Sequence, residues 1–166
     1  MKIKKMILVT LMLFGCLVNL SAGGFSETKK IEQTDVTTIT VELFFENLTV
    51  STCKGNQIDI VFESNKKDII PEVKSENKTL QILTGYPFGK AEDKDSFCNI
   101  SLMLPENYLA EKIVLKVPYG ILDIKNLKAK SVSITPGPDN FLENITTDYF
   151  EIPLPDQIDL NISNLD

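Results

Sequence analysis

Histidine is absent from all 166 residues, and so are tryptophan and arginine. Without histidine there is no Ser-His-Asp triad, no Cys-His pair, no His-ligated zinc and none of the commonest general base. Without arginine the cationic set is lysine alone, which removes the bidentate fork that grips phosphate or carboxylate. Phosphate-binding glycine loops are missing too: neither G-x-x-x-x-G-K-[ST] nor G-x-G-x-x-G occurs. Clustered carboxylates could still serve a hydrolase, but with 23 acidic residues some pair is inevitable. The expectation is a protein that is not an enzyme and holds no cofactor or metal. Glu92-Asp93-Lys94-Asp95 lacks the spacing of a calcium loop and reads as a solvated acidic loop, as do Asp156 and Asp159.

Long apolar runs are equally scarce. The one that exists, Met6 to Val18, follows Lys2, Lys4 and Lys5 and precedes the small residues Ser21-Ala22-Gly23-Gly24. That is the layout of a secretory signal over residues 1–23, too short to be a comfortable membrane span. Leu13-Phe14-Gly15-Cys16 offers the alternative of a lipoprotein signal cleaved before Cys16, which would then carry lipid. Either way the chain is predicted to act outside the cytoplasm, in the periplasm or on the surface of a bacterium. A lipid anchor is then its only tie to the membrane. The net charge is −6 and becomes more negative once the three leader lysines are removed, which disfavours nucleic acid as a partner.

Cysteine is rare: three residues, of which Cys16 belongs to the leader. Cys53 and Cys98 remain as an even pair in an oxidising compartment. A bond between them would close a loop of roughly 46 residues and stabilise by ~4 kcal/mol. Two separate buried thiols are the alternative.

What the sequence has in abundance is two-residue alternation. After a polar linker over residues 24–37, Ile39, Val41, Leu43 and Phe45 share one strand face, and Leu48 and Val50 follow. Next come Ile58, Ile60 and Phe62, then Leu80 and Ile82, then Ile100, Leu102 and Leu104. This period is the strand signal. Helix has one short opening, Pro105 to Val114, good for a turn or two. Residues 38–166 are therefore read as a single all-β domain. The six N-x-[ST] sequons, at Asn19, Asn47, Asn77, Asn99, Asn144 and Asn161, fall into the same alternation and read as composition.

Beyond Pro105 the pattern tightens into a repeat. Leu115-Lys116-Val117, Val132-Ser133-Ile134 and Phe150-Glu151-Ile152 recur at 17- and 18-residue spacing, each followed by a Pro or Gly turn. Recurrence of a whole strand–turn–strand unit in register marks a solenoid. The prediction is a right-handed parallel β-helix-like C-terminal part behind an irregular β N-terminal part, with an antiparallel β-sandwich as the alternative. Tyr86 and Phe88, in the loop Thr84 to Lys90, are a candidate contact loop, or a cover for the open end of the core.

The stretch "LMLPENYLAEKIVLKVPYGILDIKNLKAKSVSITPG" resembles the bacterial "putative adhesin" domain family. The resemblance rests on Leu104-Pro105, on the strand Ile113, Leu115, Val117, and on Gly120-Ile121-Leu122-Asp123-Ile124 followed by "NLKAKSVSI". It covers roughly residues 100–135. Pro136-Gly137-Pro138 and Pro153-Leu154-Pro155 depart from the family's glycine turns. The resemblance implies an exported, surface-associated, adhesin-like binding module with a β-solenoid-like body. It carries no catalytic residues. Its partner would be an unidentified macromolecule or, in the structural alternative, copies of the chain itself.

Overall fold

The computed structural model of the chain describes residues 24–86, 95–153 and 159–165, the last of these in backbone alone. Eleven strands form one sheet: β1 (Phe25–Glu32), β2 (Thr38–Glu42), β3 (Asn47–Cys53), β4 (Gln57–Ser64), β5 (Glu72–Glu76), β6 (Thr79–Leu83), β7 (Cys98–Pro105), β8 (Ala110–Lys116), β9 (Leu122–Thr135), β10 (Asp139–Glu151) and β11 (Asp159–Leu165). No α-helix occurs among the described residues. Two short 3₁₀ turns, Gln33–Asp35 and Lys67–Ile69, are the only helical turns there. The segment that offered a helical turn after Pro105 passes through a tight turn and enters β8 at Ala110.

The sheet is mixed and curled, in the order β1-β4-β7-β3-β9-β8-β2-β6-β5, with β10 on β9 and β11 on β10. Antiparallel pairing is confined to β1 with β4, β4 with β7 and β5 with β6. All strands from β8 onward pair in parallel. Residues 25–32, read as linker, are an edge strand instead. Their Ile31, half-buried beside polar neighbours, supplies the one apolar contact an edge needs, and the backbone ladder with β4 does the rest.

Parallel register lines apolar side chains up across strands. One row runs Ile60–Leu102–Val50–Ile124–Leu142. Another runs Ile82–Val41–Leu115–Ile134. All of these side chains are buried in one continuous core, and each contributes about 1.5–3 kcal/mol by leaving water. The recurrence in the sequence sets Leu115 level with Val132. Leu115 lies opposite Ile134, not Val132. The slip is two residues, so the same faces stay inward, and periodicity alone could not detect it.

β9 and β10 are long because each turns a corner without leaving the sheet. The corner residues are Asn126, at φ 61°, and Asn144, at φ 54°. Asparagine tolerates this left-handed conformation better than other side chains. The pairing ladder skips the two asparagines. Before its corner β9 lies against β3; after it, β9 lies against β8. One strand thus joins the two halves of the curled sheet, and the connections from β2 to β3 and from β8 to β9 emerge at a common turn end.

Candidate functional site

Three connections meet at that end: residues 43–46 between β2 and β3, residues 84–86 after β6, and residues 117–121 between β8 and β9. Alternation fails at Phe44-Phe45, where two aromatic residues stand side by side, and β2 has already stopped at Glu42. Phe45, expected on the inner face of that strand, is therefore a half-buried turn residue.

Glu46 ties two of these connections together, 43–46 and 84–86. Its side chain is wholly buried. Glu46 Oε2 accepts from the Phe44 backbone N–H at 2.8 Å. Glu46 Oε1 accepts from the Thr84 hydroxyl at 2.7 Å and from the Gly85 N–H at 2.9 Å. Three part-buried donors are gathered by one carboxylate, and bonds to a charged acceptor are the strong kind. Tyr86 N–H then donates to Thr84 Oγ1 at 3.1 Å, which positions the tyrosine.

Glycine permits the connections to nest. A Cβ on Gly120 would lie 1.9 Å from the Glu46 carbonyl oxygen, and one on Gly137 would lie 2.5 Å from the Gly120 carbonyl oxygen. No side chain fits between these backbones. Asn47 adds a cross-link: its Oδ1 accepts from Ile121 N–H at 2.9 Å while its Nδ2 donates to Asn99 Oδ1 at 3.0 Å.

On this frame sits an aromatic cluster. Tyr119 stacks on Phe44 (centroids 5.9 Å apart, planes 29° apart) and on Phe45 (5.5 Å, 30°). Tyr86 meets Phe45 edge-on at 5.4 Å. Despite two ring partners, Tyr119 remains 61% exposed, and Ile121 beside it is also exposed. Against Phe44 lies a recess of about 250 Å³ walled by Leu43, Leu83 and Pro118, with Glu42, Lys116 and Thr84 also lining it. Glu42 and Lys116 pair at 2.8 Å, both half-exposed; such a surface pair adds under ~1 kcal/mol. The arrangement suits binding, with a flat apolar platform next to a small recess that carries one anionic and one cationic group.

The residues singled out in the sequence fare unequally. Tyr86 belongs to the cluster, packed against the core. Phe88, Glu92, Asp93, Lys94, Asp156 and Cys16 lie outside the described residues, as does the leader segment 1–23. Cys53 and Cys98 are both free thiols, which corrects the expected disulfide. They occupy opposite ends of adjacent parallel strands: Cys53 faces Pro105, and Cys98 precedes Asn99, which faces Asn47. Seven residues of strand separate them by about 20 Å, whereas a disulfide needs Cα atoms within about 7 Å. Burial pushes the Cys98 thiol up to about 12, with the nearby Glu46 charge adding to the rise and the Ser64 hydrogen bond opposing it. Phe44, Phe45, Glu46 and Tyr119 were not singled out as a site. The adjacent aromatic pair that breaks the alternation, and the glycine following Tyr119, were the available signals.

No protein-family model matches the chain, and no curated relative does. Among solved structures it is similar to a "putative cell adhesion protein" from Clostridium sporogenes, with a TM-score of 0.50 and 16% identity. That match takes in 73% of this chain and 60% of the other, so the chain spans well under two thirds of that protein's length. The fold is shared. A "putative adhesin" from Bacteroides fragilis (TM-score 0.43, 11% identity, 80% of this chain and 76% of that one) and another from Parabacteroides distasonis (0.39, 12%, 75% and 59%) are further similar structures.

Proposed function

We propose that this chain is an exported, non-enzymatic binding module of the bacterial cell surface or periplasm, whose contact surface is the aromatic turn end. The observation that carries the reading is Tyr119: a large ring held on two phenylalanines beside the turn that Glu46 pins, yet mostly in water. Exposed aromatic anchors on a rigid frame are the side chains that dominate protein recognition surfaces. The leader-like segment supports export, and the name of the C. sporogenes protein accords with a surface role.

The parallel half of the sheet is a short β-solenoid in this reading. Support comes from the aligned apolar rows, the stacked corner asparagines and the nested glycine turns. Such a body presents walls and turn ends, and the aromatic cluster occupies one of those ends.

The test is recovery of a partner from bacterial envelope extract on immobilised chain. The original chain recovers a partner repeatedly and Tyr119→Ala does not. Failure of the original chain to recover anything, or equal recovery by the variant, overturns the reading. Mass spectrometry of the exported N-terminus checks the compartment, reading either a lipidated Cys16 or a start near Gly24.

A second reading, association of copies, is favoured by β11, which among the described residues pairs with β10 alone. An unpaired strand edge can accept another strand. A particle mass that stays monomeric at all concentrations excludes it.

A further inference from the structure

We propose that the turn end binds a neutral saccharide, one pyranose ring lying on Tyr119 and its neighbour reaching the recess beside Phe44. This deepens the binding-module reading and rests on it. A pyranose has an apolar face of C–H groups and a rim of hydroxyls. The C–H face complements the electron-rich face of an aromatic ring, and the rim wants donors and acceptors set close together. Both halves of that requirement are present. Tyr119 supplies the platform, and its position is fixed from below by Phe44 and Phe45 rather than left to side-chain rotation. Lys116 Nζ and Glu42 Oε1, 2.8 Å apart at the recess, offer a donor and an acceptor to neighbouring hydroxyls.

Size and charge narrow the class. A recess of about 250 Å³ is below the ~300–1,000 Å³ that drug-sized ligands occupy, so it takes one ring and not an elaborate side group. The two rim charges cancel, and the chain as a whole carries −6, which repels phosphorylated, sulfated or uronic sugars. A peptide is the competing occupant. Peptides commonly dock by adding a strand to a free sheet edge. At this end β2 lies between β8 and β6, β8 between β9 and β2, and β6 between β2 and β5. None of the strands that frame the recess has an edge to offer.

Binding is measured on the purified chain by saturation-transfer NMR and tyrosine fluorescence. The probes are hexasaccharides of glucose, mannose, galactose and N-acetylglucosamine, with oligogalacturonate as the anionic probe and a tyrosine-containing peptide as the peptide probe. At least one neutral hexasaccharide binds with an affinity on the order of 0.1–1 mM, as few ordered contacts would give. Tyr119→Leu, which keeps an apolar side chain but loses the flat ring, weakens binding about tenfold. Lys116→Met and Glu42→Gln each weaken it severalfold, and Tyr149→Ala, another exposed ring away from this end, leaves it unchanged. Unfolding midpoints equal to the parent's show that the variants are folded. The proposal is overturned if no neutral sugar binds at ~10 mM, if Tyr119→Leu binds normally, or if only the anionic sugar or the peptide binds. If envelope partners are recovered through Tyr119 while every saccharide fails, this proposal falls and the binding-module reading stands.

Discussion

Asn144 Nδ2 donates to Asn126 Oδ1 at 2.9 Å, and both residues hold positive φ at the corners of adjacent parallel strands. The bond links the two corner side chains where the backbone ladder skips a pair. Each corner is followed by a buried apolar residue, Leu127 and Ile145, which register opposite each other. The corner therefore re-enters the core in phase. The side-chain hydrogen bond fixes how one corner stacks on the next.

Substituting these corners separates the two effects. Asn144→Ala forfeits the side-chain bond and forces a Cβ-bearing residue without local hydrogen bonding into the left-handed region, for a loss of about 1–2 kcal/mol. Asn144→Gly loses the bond but relaxes the backbone, so it costs less. Urea unfolding of the two variants gives that order. Equal losses would show that backbone conformation contributes nothing.

Glu46 is expected to be sensitive to an isosteric change. In Glu46→Gln one acceptor oxygen becomes a donor NH₂, which then confronts either the Phe44 N–H or the Thr84 and Gly85 donors. A loss of about 2–3 kcal/mol follows from leaving a buried donor unpaired. Glu46→Ala leaves three, and loses more. The readout is chemical unfolding, with near-ultraviolet dichroism reporting the Phe44, Phe45 and Tyr119 cluster.

Gly120→Ala introduces a methyl group where the Glu46 carbonyl stands 1.9 Å away. The clash is with backbone, so the turn itself must shift, at a cost on the order of 1–3 kcal/mol. Because Tyr119 is adjacent, the variant also changes tyrosine fluorescence and weakens binding at the turn end. Gly55→Ala is the contrast: no atom lies within 4 Å of its Cβ, and its cost comes from a φ of 133° alone.

The two thiols are predicted to differ in reactivity. Cys53 is partly exposed and reacts with a thiol reagent in the folded chain, more slowly than a free cysteine because burial and the Asp59 charge push its pKa up and keep it protonated. Cys98 is buried and reacts only on unfolding. Mild oxidation forms no bond between Cys53 and Cys98 within one molecule, which intact mass under denaturing conditions measures.

Stability falls with alkali from the same cause. Burial holds the Cys98 thiol and the Tyr108 phenol up to about 12, against ordinary values of 9.0 and 10.0. Between those values and about 12 the unfolded chain binds fewer protons than the folded one, so unfolding becomes easier as pH rises. Below pH 9 neither group contributes a slope. Tyr108→Phe removes the phenol's share of the slope, although it also gives up the hydrogen bond to Val36 O.

How much was legible beforehand can be seen in particular residues. The inward alternation of Ile39, Val41, Ile60, Leu102, Ile113 and Leu115 is written in the sequence, because a strand exposes its two faces with period two whatever it pairs with. Cys98 on the Ile100 face follows for the same reason. Partner identity does not. Val132 and Ile134 satisfy the same inward face, so only packing could choose Ile134 for Leu115. The Cys53–Cys98 pair failed likewise, since parity of cysteines carries no information on strand direction.

The aromatic site was the least visible part, because Phe44, Tyr86 and Tyr119 are distant in sequence and each alone looks like an ordinary turn residue. By itself the sequence determined an all-β chain with its inward residues and its glycine turns, all properties of local alternation and backbone freedom. Which strands became neighbours, and that the turns at 43–46 and 84–86 would be tied together by one buried carboxylate, was decided by the tertiary structure. Those choices depend on long-range packing and on the satisfaction of buried donors, which no local pattern encodes.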